Sequence, residues 1–261
     1  MKKLLAVTLL GAALTATAAQ ARDNDTVRIG LNVPYEPMEY KTASGELTGF
    51  DVELGNALCQ QASVNCQWNE QAWDSLIPSL KSRKIDAIMS AMTINDERRK
   101  QLLFSEPYLV QPSAWFAPAD SAITATSPEA LKGKRIGVQR GTLQDNYVSD
   151  EYAAANIKRY ATADDIVIDI ESGRLDLAFL DYPIGKTTML DQEGKQFKTV
   201  GEMVSEPKKY FGDGFGIAFR QRDKALAEKF NAALDELKEN GTYDQLVIKY
   251  FGEAALEAAK P

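Results

Sequence analysis

Short apolar runs alternate along the chain with longer amphipathic segments. Runs at 26–32 (TVRIGLN), 85–90 (IDAIMS) and 175–181 (LDLAFLD) have the length and the β-branched content of buried strands. Between such runs, segments such as GFDVELGNALCQQA and ADDIVIDIESGR carry apolar residues at helical spacing. This alternation predicts α/β layers with mostly parallel strands. After GFGIAFR at 214–220 the chain is expected to end in helices.

One pattern occurs twice. LKSRKIDAIMSA and IESGRLDLAFLD both contain a helix end, a basic residue, Ile or Leu followed by Asp, and an apolar strand. When the two are superposed, Ser90 and Ala91 fall opposite Leu180 and Asp181. Ligands of open α/β sheets bind at the carboxyl ends of the strands. The repeat therefore predicts two similar lobes that face one cleft.

The first residues, MKKLLAVTLLGAALTATAAQA, have a basic start, an apolar stretch and a small-residue end, which predicts a secretory signal cleaved after Ala21. The apolar stretch is too short to span a bilayer. Removal of Lys2 and Lys3 leaves 28 of the 30 basic residues against 37 acidic ones, a net charge of −9. An acidic exported chain is a poor partner for nucleic acid or anionic lipid.

The two cysteines, Cys59 and Cys66, lie close together in LCQQASVNC. In an oxidising compartment this pair predicts a local disulfide that joins a helix end to the next strand. A metal or redox pair is the alternative. The chain has no histidine and no further cysteine, and the spacing is not C-x-x-C, so the disulfide is favoured. We expect no metal and no cofactor.

Several polar residues follow the predicted strands. Arg98 comes just after Ser90 and Thr93, Thr142 stands where a strand turns into a helix, and Asp181 ends its own strand. A guanidinium suits a carboxylate, a helix start offers N–H groups to an anion, and a carboxylate suits an ammonium group. Together they predict a clamp for an α-amino-acid zwitterion. On the pattern alone, a surface arginine and a capping aspartate are equally good interpretations.

Two aromatic residues also stand at strand ends. Tyr35 lies in a proline-flanked loop after the first strand, and Trp73 lies between a strand and a helix. Taken singly, each is more often a core residue. Together at the cleft, they are expected to enclose an aliphatic or planar ligand side chain.

These segments, with DSLIPSLKSRKIDAIMSAMTINDERRKQLLFSEPY, KYFGDGFGIAFR and NGTYDQLVIKYF, resemble the solute-binding proteins (family 3) of polar-amino-acid ABC importers, especially the lysine/arginine/ornithine and histidine binders. The resemblance covers nearly the whole mature chain. It implies an α/β, two-lobed periplasmic-binding-protein fold (type II), in which two crossing strands join lobes that each hold a mostly parallel sheet flanked by helices. Lobe 1 would comprise 22–109 and 208–261, and lobe 2 would comprise 110–207.

The resemblance also implies residue roles. Arg98 and Thr93 would hold the ligand's carboxylate, with Thr142 opposite them, and Asp181 would hold its ammonium group. The two aromatic residues named above would cover the ligand, and the cysteine pair matches the family's disulfide.

The side-chain pocket departs from the family's pattern. Asn32 stands where the basic-amino-acid binders commonly carry an aspartate for the cationic tip, Ala91 replaces a frequent serine, Leu143 replaces a second threonine, and Gln139 replaces an apolar residue. Glu36 is predicted to supply the missing acid if its side chain turns inward. If it does not, the tip pocket is neutral and is built from Asn32 and Gln139.

The expected function is capture of a basic or long polar L-amino acid, arginine first, in the periplasm of a Gram-negative cell. Delivery to an inner-membrane ABC permease would follow, by a monomer and without covalent chemistry. Three alternatives stay open: a binder of glutamine or of an opine-like conjugate, an input to a chemoreceptor, and a same-fold dehydratase. The dehydratase would need a general acid in the cleft.

Overall fold

The computed structural model describes residues 26–194 and 196–259, and the predicted signal peptide at 1–21 lies outside them. The strands are β1 (Thr26–Leu31), β2 (Tyr40–Lys41), β3 (Leu47–Thr48), β4 (Asn65–Glu70), β5 (Ala87–Ile88), β6 (Leu103–Phe104), β7 (Ser113–Pro118), β8 (Arg135–Gln139), β9 (Asn156–Tyr160), β10 (Leu177–Asp181), β11 (Phe197–Val204) and β12 (Ala218–Phe219).

The helices lie between and after these strands. They are α1 (Phe50–Gln61), α2 (Trp73–Lys81), α3 (Asp96–Arg99), α4 (Leu143–Glu151), α5 (Ala163–Glu171), α6 (Tyr182–Gly185), α7 (Lys208–Phe211), α8 (Lys224–Glu239), α9 (Thr242–Phe251) and α10 (Leu256–Ala259), with a π-helical turn at Lys186–Leu190 and a 3-10 turn at Glu253–Ala255.

Two five-stranded sheets form the body of the protein. The first has the order β4-β1-β5-β12-β6, and the second has the order β11-β7-β10-β8-β9. In each sheet three neighbouring strands are parallel and the other pairings are antiparallel. The sheets are therefore mixed, not mostly parallel as expected.

The path of the chain explains the antiparallel pairs. The chain leaves the first sheet after β6 and re-enters it at β12, and these outgoing and incoming strands pair with each other. In the second sheet the entering strand β7 and the leaving strand β11 pair in the same way. Adjacent strands of opposite direction need no crossover helix. The two crossing segments also contact each other, since Phe215 N donates to Leu109 O at 2.7 Å.

The helices pack on the sheets through narrow apolar faces. Helix α8 is typical, because its buried residues recur at helical spacing. They are Ala227, Phe230, Ala233, Leu234 and Leu237. Helix α8 lies against α1, whose Phe50 is fully buried beside the rings of Tyr108 and Tyr243.

The predicted disulfide is confirmed. Cys59, in the last turns of α1, is bonded to Cys66 in β4, with the two Cα atoms 6.0 Å apart. Within the described ranges, no helix combines the length and the apolar character that a bilayer span requires.

Candidate ligand-binding site

A small, largely filled cavity lies between the two sheets. Its lining residues are Asn32, Tyr35, Glu39, Trp73, Ser90, Ala91, Thr93, Arg98, Gln139, Thr142, Leu143, Gln144 and Asp181. Ten of the eleven residues predicted for the site are among them, so the carboxyl ends of strands from both halves of the chain do meet at one place.

Glu36 is the predicted residue that lies elsewhere. It faces a separate surface depression, with Asp164 and Ile168. The reason is a tight turn, in which Tyr35 and Glu39 form an antiparallel bridge and Tyr35 N donates to Glu39 O at 2.7 Å. Paired residues present their side chains on one face. Tyr35 and Glu39 therefore face the cavity, whereas Glu36 faces away, so that Glu36 is not among the lining residues and the tip pocket built from Asn32 and Gln139 has no charge from it.

Three lining residues were not among the predicted site residues. Leu143 was named only as a departure from the family's pattern, and Glu39 and Gln144 were not named at all. Glu39 pairs with Tyr35 across the turn. Its place four residues after Tyr35, with Pro37 between them, is the feature of the sequence that could have indicated it. Gln144 lies in the first turn of α4, directly after the predicted strand end and Thr142. Because the start of this helix was expected at the cleft, Gln144 could have been predicted from its position in the first turn.

Arg98 is held at the cavity by the local structure of a short helix. Asn95 caps α3, and its Oδ1 accepts a hydrogen bond from Arg98 N at 3.0 Å. The guanidinium turns back, and Nη1 donates to Thr93 O at 2.9 Å. Burial lowers the pKa of Arg98 to about 10, so the group stays charged at neutral pH. Most of its N–H donors are left for an anion.

Asp181 is the acid that faces Arg98. It ends β10, and its carboxylate accepts hydrogen bonds from Tyr35 Oη at 2.7 Å and from Gln144 Nε2 at 2.7 Å. Burial raises the pKa of Asp181 to about 6, although these hydrogen bonds and the charge of Arg98 act against the increase. At neutral pH the cavity therefore holds one cation and one anion.

The start of α4 forms the wall opposite Arg98. Thr142 caps this helix, since its Oγ1 accepts from Asp145 N at 3.2 Å and donates to Gln139 O at 2.8 Å. The hydroxyl is thus used within the protein. What the turn offers a ligand is the positive end of the helix and its first N–H groups.

Trp73 closes the cavity from the first sheet. Its Nε1 donates to Gly141 O at 3.0 Å, and the Arg98 guanidinium lies 5.4 Å from the ring centroid. Gly141 has φ +71, a conformation that glycine adopts without strain. The ring thus links the two sides of the cleft and covers the arginine.

The far end of the cavity is a second polar cluster. Gln139 Nε2 donates to Asn32 Oδ1 at 2.9 Å, which joins a strand end of each sheet. Ser90 Oγ accepts from Asn32 N at 3.0 Å and donates to Glu39 Oε1 at 2.5 Å. This cluster combines the neutral pocket expected from Asn32 and Gln139 with a carboxyl group that the sequence did not predict.

Glu39 lies against a second buried acid. Asp51 Oδ2 accepts from Ala91 N at 2.7 Å and from Tyr108 Oη at 2.9 Å. Burial and the adjacent negative charge of Asp51 raise the pKa of Glu39 well above its usual range. The two carboxyl groups can form a hydrogen bond with each other only while one of them holds a proton.

The amino-acid sequence matches a known protein family over most of its length. Residues 27–253 match the model of the bacterial extracellular solute-binding proteins, family 3. The chain belongs to this family. The match covers nearly all of the residues that the structure describes.

Individual relatives are also similar over their full length. The chain is 42% identical over 255 residues to the L-arginine-binding protein of Pseudomonas aeruginosa, covering 96% of this chain and 97% of that protein. It is 40% identical over 253 residues to the lysine/arginine/ornithine-binding periplasmic protein of Escherichia coli, covering 96% of each. Among solved structures, an ancestral arginine-binding protein bound to arginine superposes with a TM-score of 0.80 at 33% identity, covering 87% of this chain and 99% of that one.

Proposed function

We propose that this solute-binding protein captures an L-amino acid in the cavity between its sheets, in the periplasm, and presents the closed form to an inner-membrane ABC permease. The observation that carries the proposal is the placement of Arg98 and Asp181 in one cavity. Each is buried. Arg98 lies in α3, between two strands of the first sheet, and Asp181 ends a strand of the second sheet. A ligand carboxylate bound to Arg98 and a ligand ammonium group bound to Asp181 would neutralise both charges at once.

Closure follows from the same geometry. We propose lobes at 22–109 with 208–261 and at 110–207, in keeping with first-sheet strands within 26–104 and 218–219 and second-sheet strands within 113–204. A zwitterion that contacts both lobes binds the closed form more strongly than the open one, and so shifts the population towards it. The closed form is the state that a permease or a chemoreceptor would recognise.

The ligand class we favour is basic, with arginine first. The relatives named for arginine and for lysine, arginine and ornithine support this choice. The alternative is glutamine or an opine-like conjugate, for which the Asn32–Gln139 amide pair would form a neutral end. We propose no catalysis. The alternative, a same-fold dehydratase, would need a general acid in the cavity, and Glu39 is the carboxyl group there whose pKa burial raises well above its usual range.

The test is calorimetry with a panel of L-amino acids on protein that has been unfolded and refolded to remove bound ligand. Saturable binding of arginine, lysine or ornithine with one ligand per chain supports the proposal, and binding of no amino acid contradicts it. Mass spectrometry of the recovered ligand separates binding from catalysis, since a dehydratase would change the mass of its substrate.

A further inference from the structure

The short helix α7 lies between α3 and α4, the two helices that bring Arg98 and Thr142 to the cavity. Its aromatic side chains belong to the core of the second sheet. The rings of Tyr210 and Phe211 lie edge-on to the ring of Tyr147 in α4, with centroids 5.4 Å and 5.0 Å away. Tyr210 Oη also donates to Asp150 Oδ2, in the same helix, at 2.6 Å. Helix α7 is therefore fixed to the half of the molecule that contains α4.

The opposite side of α7 meets the start of α3. Asn95 Nδ2 donates to Tyr210 O at 3.1 Å. Directly after α7, Gly212 has φ +56 and passes so close to Ile94 O that a Cβ atom there would lie 1.9 Å from it. The next residue already pairs with the first half of the molecule, since Asp213 N donates to Ile94 O at 3.0 Å. The chain therefore changes partners at Gly212, and α7 contacts α3 across this change.

Asn95 makes two hydrogen bonds with its side chain, and only one of them serves the helix cap. Its Oδ1 accepts from Arg98 N at 3.0 Å, which caps α3. Serine, threonine or aspartate would make the same cap, because each offers a side-chain oxygen. Asparagine adds an amide donor, and here that donor bonds to the buried carbonyl of Tyr210 at the end of α7. The second hydrogen bond thus joins the Arg98 backbone to α7.

The position of the Arg98 guanidinium depends on the same loop. Its Nη1 donates back to Thr93 O at 2.9 Å, so the side chain follows the backbone that Asn95 caps. Rotation of one lobe relative to the other about the crossing segments would move α7 together with α4. Such a movement would break the hydrogen bond between Asn95 and Tyr210. The loop from Thr93 to Arg98 would then lose one of the contacts that fix it.

We propose that Asn95 is a positioning residue that couples the placement of Arg98 to lobe closure. In the closed form, α7 holds the Asn95 amide, Asn95 holds the Arg98 backbone, and the guanidinium meets the ligand's carboxylate in a fixed position. In the open form the bond to α7 is absent, and the guanidinium is held less firmly. The carboxylate is therefore bound most strongly when the lobes are closed. This inference rests on the proposed function, because it assumes an amino acid whose carboxylate binds Arg98.

The experiment removes the amide donor and keeps the cap. Asn95→Ser retains an oxygen for Arg98 N but is too short to reach Tyr210 O. Asn240→Ser is the matched control, because Asn240 Oδ1 also accepts a backbone N–H, that of Thr242 at 3.0 Å, on the surface before α9. In calorimetry with arginine, we expect about fivefold weaker binding for Asn95→Ser and normal binding for Asn240→Ser. Stopped-flow measurements should show the loss as faster dissociation of arginine with little change in association.

A double-mutant cycle separates positioning from a general structural role. If Asn95 acts through Arg98, Asn95→Ser should weaken arginine binding by less than about twofold in the Arg98→Ala background, where there is no guanidinium to place. A loss in that background as large as in the unmodified protein overturns the proposal, and so does normal binding by Asn95→Ser. Binding of no amino acid by the unmodified protein contradicts the proposed function instead.

A second measurement needs no variant. In the unmodified protein, the side-chain amide protons of Asn95 should exchange with solvent more slowly when arginine is bound, because closure forms the hydrogen bond to Tyr210 O. Nitrogen-15 NMR follows these protons directly, and the exposed Asn240 amide is the internal reference. Exchange of the Asn95 amide that arginine leaves unchanged overturns the proposal.

Discussion

The phenolic oxygen of Tyr35 lies 2.7 Å from Asp181 Oδ2, and so a turn of the first sheet bonds to a strand end of the second. Both residues are buried in the cavity wall. The hydrogen bond does two things at once. It joins the two sides of the cavity at the position proposed for a ligand's ammonium group, and it keeps the pKa of Asp181 lower than burial alone would set it.

Tyr35→Phe tests this contact, because it keeps the ring and removes the hydroxyl. A hydrogen bond to a charged group contributes roughly 1.5 kcal/mol or more, so we expect ligand affinity to fall about tenfold. The pKa of Asp181 should rise, since a donor is lost. Calorimetry across a pH series measures both effects. Tyr40→Phe, on a tyrosine outside the cavity lining, is the control, and equal losses in the two variants would contradict the assignment.

Removal of the Arg98 guanidinium should abolish most of the binding. The ligand's carboxylate would then be buried without its partner, which costs roughly 2–5 kcal/mol. Arg98→Ala should therefore bind arginine at least about thirtyfold more weakly in calorimetry. Arg99→Ala is the matched control, because Arg99 is half-exposed and pairs with Asp213 at the surface. Near-normal affinity in Arg98→Ala would exclude the role proposed for this residue.

The raised pKa of Asp181 makes ligand binding depend on pH. An ammonium group binds the ionised carboxyl, so affinity should rise as pH increases through about 6 and then level off. One pH unit below that value, affinity should be about tenfold weaker. Isothermal titration from acid to neutral pH checks this. Asp181→Asn should bind weakly and lose this part of the pH dependence, and a flat profile in the unmodified protein would contradict the prediction.

The same group affects stability in the opposite direction when no ligand is present. Because the folded-state pKa of Asp181 is above its usual value of 3.8, the folded protein retains a proton that the unfolded chain releases. Its contribution to the free energy of unfolding is therefore present below about pH 4 and is lost as pH rises to about 6, an effect on the order of 3 kcal/mol. Chemical denaturation at the two pH values should show a smaller change for Asp181→Asn.

The sequence predicted the position of Arg98 and Asp181 because strand ends can be recognised from where apolar runs stop. Ligands of open α/β sheets bind at the carboxyl ends of the strands, so the residues that follow such a run in each half of the chain were expected at one cleft. Strand lengths were less accurate. The run at 85–90 forms a strand only at Ala87–Ile88. The chain leaves the extended conformation shortly afterwards, at Ala91, whose φ is +48 and whose N–H donates to Asp51 Oδ2.

The choice between Glu36 and Glu39 could not be made from the sequence. It depends on the bridge between Tyr35 and Glu39, which determines which side chains of the turn face the cavity. A second constraint fixes this turn from outside: Phe50 N donates to Pro37 O, and Asp51 N donates to Met38 O, each at 2.9 Å. Such contacts join segments that are separate in the sequence, and no local pattern reports them. The mixed sheets have the same origin, because the antiparallel strands pair across the two crossings.

The disulfide should contribute to stability without contributing to binding. Cys59 and Cys66 are seven positions apart in the sequence, and a bond that closes so short a loop restricts the unfolded chain by about 2–3 kcal/mol. The bond joins α1 to β4, the edge strand of the first sheet, and neither cysteine lines the cavity. Replacement of both cysteines by serine should therefore lower the melting temperature and the free energy of unfolding, while arginine affinity in calorimetry stays within about twofold. Single replacements are the less suitable variants, because each leaves a free thiol. If the double variant binds far more weakly at a temperature where it is fully folded, the bond also positions the cavity wall, and the separation of stability from binding is wrong.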